Sequence, residues 1–170
     1  MTATAASPKS PVLVVSGMHR SGTSFAAGVL HSAGLFLGDR LLAADPTNPC
    51  GHFEDLDFLN YHRSLLRAHG LPDDGFVTGL GIEPADRFRK RATTLVEERR
   101  GVLRPWGWKD PRTVLFLPFW ASVVPDARFL FVFRPPWDVI DSLFRRGDQV
   151  FSRTPAFALA AWLDYNARIR

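Results

Sequence analysis

The residues best suited to chemistry begin with a glycine loop at 17–24. The loop has the sequence Gly-Met-His-Arg-Ser-Gly-Thr-Ser and follows an apolar, β-branched run at 12–15. A buried strand, a glycine loop and a helix in this order direct backbone N–H groups and the positive end of the helix dipole at one point. The loop therefore predicts an anion site, and the predicted site residues are Gly17, His19, Arg20, Ser21, Gly22, Thr23 and Ser24.

The loop differs from the ATP-binding pattern G-x-x-x-x-G-K-[ST] at the lysine position. Both glycines and the terminal Ser24 are present, but Thr23 stands where the lysine would be. Arg20 lies inside the loop and supplies a planar cation whose N–H groups can bind phosphate oxygens. The pattern thus predicts phosphate binding without the lysine of the ATPases. The alternative is a turn that only joins a strand to a helix.

A second set of polar residues follows another apolar run, at 127–133. Arg134 stands at the end of that predicted strand, and Ser142 lies eight residues later, two turns into the next predicted helix. Ligands of parallel α/β sheets bind at the carboxyl ends of the strands, so this pair can converge on a second phosphate. Taken alone, a pair at this spacing is more often a surface arginine and a neutral helix serine.

Together the two sets resemble the nucleotide-binding residues of the PAPS-dependent sulfotransferases. The loop at 16–24 resembles the family's 5′-phosphosulfate loop, and Arg134 with Ser142 resembles its 3′-phosphate site. Residues 107–112 are similar to the Lys-Asp-Pro segment of the bacterial-type and protein-tyrosine members, and residues 51–55 to their acidic segment. A further similarity, to the Trp-x-x-Tyr-Asn pattern of bacterial members, is carried by Trp162, Tyr165 and Asn166.

The resemblance implies a fold, a donor and a type of acceptor. The implied fold is a P-loop-like, three-layer α/β fold with a central parallel sheet flanked by helices. The implied donor is 3′-phosphoadenosine 5′-phosphosulfate (PAPS), the product is PAP, and the acceptor is a hydroxyl group on a carbohydrate, peptide or small molecule. This chemistry needs no metal. The histidines also show no ligand spacing with Cys50 or with paired carboxylates, so no metal site is expected.

Four residues are candidates for the catalytic roles that the resemblance implies. Sulfuryl transfer builds negative charge on the bridging oxygen of the donor and needs a base for the acceptor proton. Arg20 is expected to stabilise that oxygen, and Lys109 to contact the same oxygen or the sulfonate, unless Lys109 only forms an ion pair with Asp110. Glu54 is the first candidate for the base and His52 the second. Glu54 has an alternative role as a charge at the start of a helix.

Two other functions remain open on the sequence. A divergent P-loop nucleotide or small-molecule kinase would use ATP and magnesium, but it would need a lysine at position 23. An anion-binding module for nucleic acid would use the loop and the arginine-rich segment at 87–100. That segment has few aromatic residues and no known nucleic-acid motif, so we expect no nucleic-acid partner. Titrations with PAP, ATP and a DNA duplex separate the three functions.

The composition limits the class of protein. Of the 170 residues 46% are hydrophobic and 22% are charged, which excludes collagenous and largely disordered chains. The formal net charge is +4, and the single cysteine excludes an internal disulfide bond. No run approaches the roughly 18 apolar residues that a membrane span requires. We therefore expect a soluble, cytoplasmic protein with no membrane partner.

The hydrophobic periodicity predicts a disordered tail at 1–11 and one domain at 12–170. The predicted elements are strands at 12–15, 105–108 and 127–133 and helices at 23–33, 55–69, 83–100, 113–124 (broken at Pro118), 137–146 and 155–170. Because the last helix has no stop signal, we expect that a C-terminal segment of the domain is missing. The fragment by itself is then expected to bind PAP weakly or not at all, to be inactive, and to expose a sheet edge. The acceptor and the oligomeric state do not follow from the sequence.

Overall fold

The computed structural model describes residues 10–79 and 81–170, in which strands and helices alternate. In chain order the elements are β1 (Val12–Ser16), α1 (Thr23–Ser32), α2 (Leu56–Ala68), α3 (Asp86–Arg100), β2 (Trp106–Lys109), a 3-10 helix (Pro111–Phe116), α4 (Leu117–Val123), β3 (Ala127–Phe131), α5 (Pro136–Arg146), α6 (Gln149–Arg153) and α7 (Pro155–Ile169). The fold class is α/β, as the sequence predicts.

The predicted N-terminal tail lies mostly outside the described residues, which begin at Ser10. The two described residues of that segment are hydrogen bonded to the fold. The Ser10 hydroxyl donates to the carbonyl of Val102 at 3.1 Å, and the carbonyl of Pro11 accepts from the amide of Trp106 at 3.1 Å. Ser10 and Pro11 therefore belong to the folded part of the chain.

The three strands form one parallel sheet in the order β2-β1-β3. Val14 of the central strand pairs with Trp108 on one side and with Phe129 on the other. A strand with neighbours on both sides and helices on both faces favours the continuous apolar run that β1 carries. All three predicted strands are present, and their carboxyl ends meet at one edge of the sheet.

Two apolar clusters of unequal size cover the two faces of the sheet. The larger cluster includes Val14 and a group of aromatic rings, among which Phe58 stacks on Trp108 with ring centroids 4.3 Å apart. The smaller cluster includes Ala27 of α1, with Leu13 packed against it. Because successive strand residues point to opposite faces, the two clusters lie on opposite sides of β1. The arrangement therefore has three layers.

Strand β3 is an edge strand, so the prediction of a continuously buried run at 127–133 is wrong. The strand ends at Phe131, and its residues alternate between half-buried and exposed positions. Leu130 is 39% exposed, and Phe133 beyond the strand is 62% exposed. The apolar composition misled the prediction because composition alone does not show whether neighbouring elements cover both faces of a strand.

The helix bounds agree with the predictions within a few residues, with three corrections. Pro118 lies in the first turn of α4 and does not break a helix, and the preceding residues form a separate 3-10 helix. Proline suits a first turn because its missing N–H would have no partner there. Helix α3 begins at Asp86, and it is not simply exposed, since it buries Phe88, Ala92, Leu95 and Val96. The short helix α6 was not predicted.

Helix α1 contacts the sheet through small residues. Its buried residues are Thr23 and Ala27, whereas Phe25 and Val29 are 79% and 55% exposed. The apolar side chains of Phe25 and Val29 are therefore turned away from the main core. Among the described residues, no helix is long and apolar enough to cross a bilayer.

Candidate functional site

The glycine loop at 17–24 follows β1 and is bent by three residues with positive φ. These are Gly17 at 144°, Arg20 at 68° and Gly22 at 94°. A Cβ atom on Gly17 would lie 2.4 Å from the carbonyl oxygen of Val132, so only glycine lets the loop pass the end of β3. The amide of Ser21 donates to the carbonyl of Met18 at 3.1 Å. That amide therefore closes a turn inside the loop, and the role of Ser21 in anion binding stays a prediction.

The loop leads directly into the N-terminus of α1. Gly22 is the N-cap and supplies no side-chain hydrogen bond. The amides of Thr23, Ser24 and Phe25 have no acceptor within the helix, because the first N–H groups of any helix lack one. They lie at the positive end of the helix dipole, which favours a bound anion. The predicted anion cradle is therefore formed by the start of α1.

The two predicted phosphate sites line one cavity of about 210 Å³. It is lined by Arg20, Gly22, Thr23, Ser24, Phe25, Asn48, Arg134 and Ser142. Nε of Arg20 donates to Oγ of Ser142 at 2.9 Å, and Nη1 of Arg134 donates to the carbonyl of Arg20 at 3.3 Å. Residues separated by more than 100 positions in the chain thus meet. The three predicted donor-site residues outside this lining are Gly17, His19 and Ser21.

The ring of His19 lies away from the cavity, in the apolar core. Its centroid is 4.7 Å from that of Phe76 and 6.0 Å from that of Tyr165. Nε2 is buried and has no hydrogen-bond partner in the described part of the chain. Burial, followed by the nearby guanidinium of Arg112, lowers the pKa of His19 well below its usual value. His19 is therefore a neutral core residue at pH 7.

Ser24 connects the cavity to the catalytic candidates. Its hydroxyl oxygen accepts from Nζ of Lys109 at 3.2 Å and from Nδ2 of Asn48 at 3.0 Å. The same hydroxyl donates to the carbonyl of His52 at 3.3 Å. Lys109 at the end of β2 and the loop around residue 50 are thereby held against the first turn of α1.

Lys109 and Glu54 form a buried ion pair. Nζ of Lys109 lies 2.7 Å from Oε1 of Glu54, and the two residues are 2% and 5% exposed. Nη1 of Arg112 is 3.5 Å from the other oxygen of Glu54. The alternative pair of Lys109 with Asp110 is not formed, because Asp110 pairs with Arg112 and His62. Both oxygens of the first base candidate are therefore in contact with cations.

A charge at the start of α2 is supplied by Asp55 and not by Glu54. Asp55 is the N-cap, and its carboxylate accepts from the amide of Asp57 at 2.7 Å. Arg99 also binds this carboxylate, at 2.9 Å. The alternative role considered for Glu54 is thus filled by its neighbour.

A buried hydrogen-bonded chain holds the segment after Lys109 in place. Nε1 of Trp120 donates to Nε2 of His62 at 2.9 Å, so the proton of a neutral His62 is on Nδ1 and is donated to Asp110 at 2.9 Å. Burial alone would raise the pKa of Asp110, but Arg112 and His62 hold it well below its usual value. The carboxylate is therefore ionised and fixes the end of β2.

A turn at 45–52 lies over the glycine loop. Oδ1 of Asp45 accepts from the amide and the hydroxyl of Thr47, and Oδ2 lies 3.0 Å from Nε2 of His52. The carbonyl of Thr47 accepts from Nη1 of Arg20 at 3.3 Å. The hydrogen bond from the Thr47 hydroxyl, followed by that from His52, lowers the pKa of Asp45 to about 2. The second base candidate thus lies in a turn that contacts the loop arginine.

An apolar hollow of about 550 Å³ adjoins the cavity on the outer side of α1. It is lined by Ser24, Phe25, Gly28, Val29, Ser32, Asn48, Cys50, Gly51 and Phe53. Ser24, Phe25 and Asn48 are shared with the cavity. Sequence reasoning missed Phe25 and Asn48 as site residues. An aromatic residue directly after the loop was the available signal for Phe25.

In the described ranges no group of three or more metal-ligating side chains is found.

No protein-family profile and no curated protein matches the sequence. Among solved structures, the crystal structure of TT1252 from Thermus thermophilus is similar at 18% identity and a TM-score of 0.44, over 88% of this chain and 81% of that chain.

Proposed function

We propose that the chain belongs to an enzyme that transfers a sulfuryl group from PAPS to an acceptor hydroxyl. The observation that carries this proposal is the shared cavity. Arg20 from the loop and Arg134 with Ser142 from the β3–α5 region line one space at the carboxyl end of the sheet. Two phosphate sites in one space suit a nucleotide with phosphates at two positions of its ribose.

The residues present fit the chemical groups of PAPS. The first-turn amides of α1 and Arg20 suit the 5′-phosphosulfate, and the guanidinium of Arg134 with the hydroxyl of Ser142 suits the 3′-phosphate. Beside them, the exposed ring of Phe25 and the apolar hollow offer a surface on which a purine can stack. Each part of the nucleotide thus has a complementary surface.

Sulfuryl transfer exchanges one sulfur–oxygen bond for another. The bond from sulfur to the bridging oxygen of the donor breaks, and its electron pair leaves on PAP. The acceptor oxygen forms the new bond to sulfur and gives its proton to a base. Arg20 and the α1 amides bind the charge on the leaving phosphate. Lys109, held at 3.2 Å from Ser24, adds a cation beside that serine.

The geometry favours His52 over Glu54 as the base. Glu54 is 5% exposed and its oxygens face Lys109 and Arg112, so it has no open oxygen for an acceptor proton. The Asp45 carboxylate requires a proton on Nε2 of His52, which leaves Nδ1 of a neutral ring with a lone pair. In this arrangement Glu54 positions Lys109, and His52 accepts the proton.

Turnover separates these two roles. In an active form of the protein, His52→Gln is expected to remove the acidic limb of the pH–rate profile. Glu54→Gln is expected to lower turnover while leaving that limb in place. The opposite result would assign the base to Glu54.

Nucleotide binding tests the function itself. Because described residues line both predicted phosphate positions, we replace the expectation of weak or absent PAP binding by weak binding that ligand-observed NMR detects. Arg134→Gln and Ser142→Ala are expected to weaken it by about ten- to hundredfold, since charge-assisted hydrogen bonds contribute about 1.5 to 3 kcal/mol. Binding of AMP, which lacks the 3′-phosphate, is expected to change little. Arg128→Gln, at the other end of β3, is the matched control. Binding of Mg-ATP but not of PAP would instead indicate a kinase.

A further inference from the structure

The cavity lined by Arg20, Arg134 and Ser142 is called the phosphate cavity below. Another pocket beside it is rich in arginine and is called the arginine pocket. Its volume is about 430 Å³, and it is lined by Arg20, Pro46, Thr47, Ser142, Arg145 and Arg146. Half of these lining residues carry a guanidinium group and none carries a carboxylate. Arg20 and Ser142 also line the phosphate cavity, so the two spaces adjoin the same pair of side chains.

We propose that this arginine pocket binds the acceptor substrate and selects acceptors that are themselves anionic, such as hydroxyl compounds with a carboxylate, sulfate or phosphate group. The proposal rests on the proposed sulfuryl transfer. It adds a substrate class that the phosphate cavity alone does not define.

The position of the pocket suits an acceptor. In transfers of this type the attacking and leaving oxygens lie roughly in line, on opposite sides of the transferred group. Arg20 and Ser142 border both spaces. The phosphate cavity is also lined by Arg134 and Thr23, and the arginine pocket is also lined by Thr47 and Arg146. A donor in the first space and an acceptor in the second therefore meet at Arg20.

The cations of the pocket differ in how firmly they are held. Arg146 is 21% exposed in its side chain, pairs with Asp148, and lies over the ring of Phe76 at 5.7 Å. Arg145 pairs with Asp141 in an i,i+4 ion pair whose side chains are 71% and 60% exposed. An exposed pair of this kind contributes little free energy. Arg145 can therefore exchange Asp141 for a ligand anion, whereas Arg146 offers a preformed surface.

Arg20 lies among both cations and carboxylates. Burial, followed by the nearby Arg146, lowers the pKa of Arg20. Arg134 acts in the same direction as Arg146, whereas Asp148 and Asp45 act in the opposite direction. An added anion in this pocket would relieve the repulsion between the guanidinium groups.

A matched pair of small probes tests the charge preference. 4-Hydroxybenzoate and its neutral amide, 4-hydroxybenzamide, have nearly the same shape and differ in charge at pH 7. Their binding is measured by NMR with the phosphate cavity filled by saturating PAP. We expect the carboxylate to bind at least tenfold more tightly than the amide.

The variants locate the preference. Arg145→Gln/Arg146→Gln is expected to abolish the difference between the probes while PAP affinity stays within about twofold, since neither arginine lines the phosphate cavity. Arg87→Gln/Lys90→Gln, at two exposed positions on α3, removes the same two charges elsewhere and is expected to keep the difference.

Three results, each measured with PAP bound, would overturn the proposal. They are equal binding of the two probes, binding of neither, and a charge preference that persists in the double variant. Failure of PAP to bind the unmodified protein would instead refute the proposed function, and the acceptor proposal with it. The PAP titration therefore distinguishes the two failures.

Discussion

Lys109 and Glu54 illustrate how a buried charge pair depends on both partners. Removing Lys109 alone leaves a carboxylate in a site that is 5% exposed, with only the longer contact to Arg112. We expect Lys109→Met to lower the free energy of unfolding by about 3 kcal/mol or more. Lys109→Met/Glu54→Gln removes the unpaired charge and is expected to lose less. Urea unfolding of the three proteins checks this, and equal losses for both variants would contradict it.

His19 predicts a dependence of stability on pH. Its pKa in the folded protein lies below the usual value of about 6.5, so the unfolded chain takes up the proton first as the pH falls. The contribution of His19 to stability is therefore full above about pH 6.5 and declines toward the lowered folded pKa. Between pH 7.5 and 5.5 the unmodified protein is expected to lose about 1 kcal/mol more than His19→Gln. Parallel pH curves for the two proteins would show that His19 is not the group responsible.

At the scale of elements, the junction of β1, its loop and the end of β3 depends on Gly17. Gly17→Ala would bring a Cβ atom to 2.4 Å from the carbonyl of Val132 at a backbone φ of 144°. We expect a loss of stability of at least about 2 kcal/mol, because backbone strain and displacement of β3 add together. Gly34→Ala is the control, since Gly34 also has a positive φ but nothing within 4 Å of the added atom. Thermal unfolding measures both, and a cost for Gly17→Ala no larger than that for Gly34→Ala would contradict this account.

The elements also show what the sequence could predict. The loop, the three strands and most helices follow from local patterns, because β-branched runs, glycines and capping residues act over a few positions. The order β2-β1-β3 and the exposure of Phe25 do not, because they depend on contacts between parts of the chain that are far apart in sequence. The pairing of Lys109 with Glu54 was missed for the same reason, as these residues are far apart in sequence and the nearer Asp110 was the obvious partner.

At the scale of the whole molecule, the sheet has one protected edge and one open edge. A bridge from Phe36 to Trp106 covers the outer side of β2, but among the described residues no further strand pairs with β3. Leu130 and Phe133 are exposed beside the open edge. Such edges favour pairing between molecules, so we expect self-association that increases with concentration.

Light scattering tests this expectation. Leu130→Lys places a charge on the exposed face of the edge strand and is expected to reduce the association without unfolding the chain. Ser122→Lys, at an exposed position on α4, introduces the same charge elsewhere and is expected to leave the association unchanged. A monodisperse monomer of the unmodified protein at high concentration would show that the open edge does not cause self-association.

The central claim is that one cavity binds the two phosphate positions of PAP. Its most direct test is an NMR titration of the unmodified protein with PAP and with AMP under the same conditions. We predict that PAP binds at least tenfold more tightly than AMP, because only PAP engages Arg134 and Ser142. Equal affinities, or binding of neither nucleotide, would contradict the account.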